Sequence, residues 1–136
     1  MKRITREWVR KAEADYVVAR QSSRSKTPLH DSVCFHCQQL AAKYLKALLA
    51  EHGLPVPRTH NLDDLLSLLQ PPYPAMRALR RGLIFLTDFA VEYRYPGENA
   101  SKRQAQAAVR WAERMRSAGR TLLGIRPRQP QRKRSP

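Results

Sequence analysis

The sequence predicts an all-α protein, an up-and-down antiparallel bundle of four main helices plus one short helix. Three observations lead there. Apolar and small residues recur three and four apart over separate stretches, the spacing that lines one face of a helix. Groups of proline, glycine and small polar residues punctuate those stretches. Nowhere does the chain alternate apolar and polar residues convincingly enough for a half-buried strand.

In the first element Thr5 is suited to N-cap a helix running to about Arg20, with Trp8, Ala12, Tyr16 and Ala19 on its inner side. The polar stretch SSRSKTPL breaks that pattern. The second helix, Asp31 to Gly53, is the organising one: Cys34, Gln38, Ala41, Leu45 and Leu48 form its stripe, Asp31 is placed to cap it, and Gly53 suits a left-handed end. LPVPRTHN, with two prolines, is a loop. Asn61 or a neighbour can cap the short helix LDDLLSLLQ, whose Asp63 and Asp64 suit the positive end of a helix dipole. After Pro71, Pro72 and Pro74, a long helix from Ala75 to about Arg94 is expected from the seam Met76, Leu79, Leu83, Leu86, Ala90 and Tyr93. It should end at RYPG, because proline disfavours helix in the residue before it. Ser101 or Asn99 can cap a last helix bearing Ala105, Ala108, Ala112 and Met115, expected to fray near Gly119.

A chain of 136 residues is a common size for one domain and needs neither disulfide nor metal to bury a core. No apolar run approaches the ~20 residues of a membrane span, and the start MKRITREWVR lacks the apolar core of a signal peptide. A cytoplasmic location with no membrane partner is the expectation. The 26 Lys and Arg against 11 Asp and Glu give a net charge of +15. A field of that sign concentrates polyanions and favours RNA, nucleotides or an acidic protein.

Cys34 and Cys37 form a Cys-x-x-Cys pair near a helix N-terminus, where thiolates are favoured. The redox motif of that spacing needs a preceding strand, and zinc needs a second ligand pair. Two small packed residues are therefore expected, with no metal and no cofactor. His36, two residues off the stripe, is read as exposed or at a dimer contact rather than as a ligand. Gln38 stands where leucine would be unremarkable, and a buried amide needs hydrogen-bond partners. It is either a core amide that fixes register or one wall of a polar cleft.

The set formed by Trp8-x-x-x-Ala12 with Asp15, then CFHCQQLAAKYLKALL, RTHNLDDLL and RYPG, resembles the prokaryotic HEPN domain family from about Trp8 to Met115. The resemblance implies a small helical bundle, commonly a homodimer, often encoded beside a minimal nucleotidyltransferase in a toxin-antitoxin system. The terminal RPRQPQRKRSP has no apolar periodicity and is broken by prolines, so the chain is expected to divide into a HEPN-like bundle, residues 1–125, and a basic disordered tail, residues 126–136. Some members are metal-independent ribonucleases, whereas others bind nucleotides or serve as non-catalytic partners. Ribonuclease members share an Arg followed by four to six residues and a His, in which an imidazole moves the 2′-hydroxyl proton and a guanidinium holds the phosphate.

This chain departs from that pattern. Arg94 at the RYPG corner is followed by Tyr95, Pro96, Gly97, Glu98, Asn99 and Ala100, with no His, and the spacing occurs instead at Arg24 to His30 in the first loop. Two readings remain open. The first is a binding component, partnered by a minimal nucleotidyltransferase, that uses Gln38, His60, Arg94 and Tyr95 for nucleotide or RNA. The alternative is an endoribonuclease toxin with Arg94 and His60 as the candidate catalytic pair. The structural counterparts are a His60 that only positions its loop and an Arg94 that bonds carbonyls at a helix end.

Overall fold

Helix α2, His30–Glu51, collects the densest run of small and apolar residues, and the other helices are laid around it. Cys34, Leu40, Ala41, Tyr44, Leu45, Leu48 and Leu49 are all fully enclosed. The computed structural model describes residues 1–91 and 95–126. Among these the chain forms α1 (Arg3–Ser23), α2, α3 (Leu62–Leu69), a 3-10 helix (Pro74–Leu79), α4 (Arg80–Thr87) and α5 (Lys102–Leu122), with no strand. Helices α1 and α5 flank α2, while α3 and α4 close the remainder of its surface. The result is the all-α, up-and-down bundle expected from the apolar spacing.

Local signals place several ends correctly. Asn61 caps α3 by accepting from the backbone N–H groups of Asp63 at 3.0 Å and Asp64 at 3.2 Å. Ser101 caps α5 in a reciprocal box with Gln104. Gly53, at φ 68°, ends α2, and Leu54 N–H donates to the Leu49 carbonyl across it at 2.9 Å.

Other boundaries differ from expectation. Helix α1 starts at Arg3, ahead of Thr5, whose buried hydroxyl donates to Glu51 Oε1 at 2.9 Å instead of capping. Of its inner residues, Ala12 and Ala19 are buried, whereas Trp8 and Tyr16 are half-buried. Asp31 lies inside the first turn of α2, and its Oδ1 accepts from the Ala100 N–H at 2.7 Å. The helix expected over Ala75 to Arg94 is not continuous. Pro74 opens a 3-10 helix, and α4 covers only Arg80–Thr87. The buried seam of Met76, Leu79, Leu83 and Leu86 survives because a 3-10 turn and an α turn both return a residue to the same face after three to four positions. The Thr87 hydroxyl donates to the Leu83 carbonyl and accepts from Leu62 N–H at 3.1 Å, tying the end of α4 to the start of α3. Tyr93 and Arg94, and residues 127–136 of the expected tail, lie outside the described residues. Helix α5 does not end near Gly119 but runs to Leu122. Gly119 is buried against Tyr44: a Cβ there would stand 2.8 Å from Tyr44 Cδ1.

Candidate functional site

Gln38 is wholly buried on α2, and its Nε2 donates to the His60 carbonyl at 3.0 Å. Its Oε1 accepts from Gln39 Nε2 at 2.8 Å. A buried amide is thus satisfied by pinning the loop before α3 onto α2, the bond expected of a core amide. The His60 side chain itself is exposed. Tyr95 is 68% exposed at the RYPG corner. There Glu98 N–H donates to the Tyr95 carbonyl at 2.9 Å, and Gly97 sits at φ 91°, the requirement of a type II turn with proline before glycine. Gln38 and His60 are therefore brought together through the His60 backbone. Arg94, the fourth residue of the expected cleft, lies outside the described residues.

The two cysteines are buried and form no disulfide. Burial pushes the Cys37 thiol up to about 12, with Cys34 and the Glu113 carboxylate adding to the shift. A thiol so placed is inert as a nucleophile, as its reading as a small packed residue requires.

Two polar clusters escaped the sequence reading. His36 is neither exposed nor free of partners: its Nδ1 lies 2.8 Å from Asp15 Oδ1, and Lys43 Nζ donates to Asp15 Oδ2 at 2.5 Å. Asp15 comes from α1, is only 8% exposed, and binds the two basic groups of α2 at the α1–α2 contact. In the second cluster Glu13 of α1 receives the Tyr44 hydroxyl at 2.6 Å and a forked pair from Arg116 of α5, Nε at 2.8 Å and Nη2 at 2.6 Å. Arg120 approaches the same carboxylate at 3.5 Å. Burial opposes the charge on Glu13, but the bonds from Arg116 and Tyr44 and the two arginine charges outweigh it, so its carboxyl titrates below the ordinary value. Burial, reinforced by the bond to Glu13, pushes the Tyr44 hydroxyl up to about 12. Both clusters join helices. Asp15 and His36 both stand in the HEPN-like segments, but the only sign of either pairing in the sequence is an acidic residue on a face otherwise turned toward the bundle.

A third feature is a cavity of about 530 Å³ between the loop after α1 and the first half of α5. Its lining includes His30 but not Arg24, so the Arg24 to His30 spacing does not assemble a pair there. Among the described residues, no group of three or more His, Cys, Asp or Glu side chains is arranged to hold a metal ion. No helix of the described residues is long and apolar enough to cross a membrane.

Comparison with known proteins agrees with this architecture. No curated protein sequence matches the chain. The structure is similar to that of ST0689, an archaeal HEPN homologue, at 26% identity and a TM-score of 0.72, over 90% of this chain and 99% of that one. It is also similar to TT1696 from Thermus thermophilus, at 24% identity and a TM-score of 0.71, over 86% of this chain and 96% of that one. The HEPN domain itself matches residues 5–122, from the first turns of α1 to the end of α5. The chain belongs to the HEPN domain family.

Proposed function

We propose that this HEPN-domain protein is the binding component of a toxin-antitoxin module with a minimal nucleotidyltransferase, and that as a homodimer it engages RNA or nucleotide. The observation that carries this reading is the uncompensated positive charge. The chain has 11 carboxylates against 26 Lys and Arg, and Glu7, Glu13, Asp15, Asp63 and Glu113 are already occupied by basic partners of their own. The excess cations are left to solvent and to phosphate. The buried cysteines supply packing rather than chemistry.

The test is RNA binding followed by fluorescence anisotropy over a salt series. Affinity should fall linearly on a log–log plot against salt, with a slope of about −0.7 per phosphate contacted on single-stranded RNA. Salt-independent or undetectable binding overturns the reading. The nucleotidyltransferase partnership is tested separately, by co-purification with the product of the adjacent gene.

The second reading, a metal-independent endoribonuclease, is favoured by one observation: His60 holds an exposed imidazole on a loop fixed to α2 through its own carbonyl. On that reading Arg94 holds the phosphate and His60 moves the proton. RNA cleavage in excess chelator that disappears on His60→Ala and on Arg94→Ala supports it. Cleavage indifferent to both substitutions refutes the pair.

A further inference from the structure

The cavity beside α5 has a chemistry of its own. Its floor is apolar, made by buried Val33 and Ala105 and half-buried Val109. Its rim carries Lys102, Arg110 and His30, and among the described residues no Asp or Glu lines it. Lys102 and Arg110 lie eight residues apart on α5, about 12 Å along the helix axis. Neither has a carboxylate partner among the described residues. Two of the acids nearest in sequence are engaged elsewhere: Asp31, beside His30, holds the Ala100 N–H, and Glu113, one turn beyond Arg110, pairs with Arg20 at 3.7 Å; Glu98, four residues before Lys102, is exposed and does not line the cavity. The amides at the start of α5 are partly used by the Ser101 and Gln104 cap, so recognition of an anion falls to the side chains. The bond from Ala100 to Asp31 also brings the chain leaving the RYPG corner against the start of α2, two residues before Lys102.

An apolar floor under a cationic rim suits a ligand with one flat, weakly polar part and one anionic part, and 530 Å³ falls in the range of about 300–1,000 Å³ typical of small-molecule sites. We propose that this cavity binds the phosphate end of a nucleotide, with the nucleoside on Val33, Ala105 and Val109 and the phosphate held by Lys102, Arg110 and His30. His30 donates a hydrogen bond in either charge state, and Lys102 and Arg110 supply charge-assisted ones. The nucleotide is either free or the 5′-terminal residue of an RNA. The inference rests on the nucleotide- or RNA-binding reading above and adds to it a phosphate site whose lining includes neither Gln38, His60 nor Tyr95.

The experiment titrates the full-length protein with adenosine 5′-monophosphate, adenosine, and one single-stranded RNA bearing either a 5′-phosphate or a 5′-hydroxyl. It is repeated with Lys102→Ser/Arg110→Gln, and with Arg10→Gln/Arg81→Gln as a control that removes equal charge from exposed sites outside the cavity. The expected result is that the monophosphate binds more tightly than adenosine, and that the cavity variant weakens it by about tenfold or more while the control does not. Preference for 5′-phosphorylated over 5′-hydroxyl RNA, lost in the cavity variant, identifies a terminal nucleotide as the source; preference for the monophosphate alone identifies a free one. If RNA binds but both double variants weaken every probe equally, the cavity assignment is overturned and the binding reading stands. If no probe binds the unsubstituted protein, both are overturned.

Discussion

Gly82 is the point at which α4 meets α5, and its replacement tests the packing directly. A Cβ on Gly82 would lie 2.0 Å from both Cδ2 and Cε3 of Trp111. Carbon atoms in contact sit about 3.5–4.0 Å apart, so the indole or α4 must move by more than 1 Å, roughly. The indole is half-buried, and the Arg114 guanidinium lies 4.6 Å from its centroid, so moving the ring disturbs a second contact. Alanine is the better helix former by up to about 1 kcal/mol, whereas overpacking costs about 1–3 kcal/mol and more when the clash is severe. The clash wins, and Gly82→Ala should lose about 2 kcal/mol. For a chain of this length that is a fall in Tm of about 5–10 °C.

Urea unfolding followed by circular dichroism measures the change as a lower midpoint at constant slope. The cause is isolated by repeating the substitution in a Trp111→Ala background, where the obstructing ring is absent. There Gly82→Ala should be neutral or stabilising, leaving a coupling of about 2–3 kcal/mol between the two sites. An equal loss in both backgrounds, or no loss in the first, would refute the packing argument.

Two further predictions concern titratable groups. The folded-state pKa of Glu13 lies below its ordinary value of 4.5, so the stability it contributes is present above that value and lost as pH falls through the lower folded value. Glu13→Gln should therefore lower stability at neutral pH and flatten the acid limb of a stability–pH curve below about pH 5; an unchanged acid limb counts against the Glu13, Tyr44 and Arg116 cluster. Cys37, buried and pushed up to about 12, should resist iodoacetamide at neutral pH and become alkylated together with Cys34 only in denaturant. Rapid labelling of the native protein would contradict its enclosure.

What the sequence determined by itself was local. The caps at Asn61 and Ser101 and the left-handed Gly53 depend on groups within a few residues of one another, so composition and spacing were enough to place Gly53 and to bring each cap to within a residue or two. The same holds for the burial of Leu45, Leu48, Leu83 and Leu86, which follows from one helical period. The family was legible for a related reason: its motifs CFHCQQ, RTHN and RYPG are short and occur in order.

Only the tertiary structure decided which polar groups meet. Asp15 finds His36 and Lys43 at separations of 21 and 28 residues, and Glu13 finds Arg116 at 103. Those pairings depend on how far each helix is rotated about its axis and how closely two axes approach, which is set by the side chains of both partners together. Gly82 and Gly119 show the same dependence, since each is small because of an aromatic ring supplied by another helix. The division of the expected Ala75 to Arg94 helix was hidden because Met76 and Leu79, three apart, satisfy a 3-10 turn as well as an α turn. The cationic cavity was hidden for the most general reason: its floor and rim come from α1, α2, α5 and the first loop, and no one segment carries its pattern.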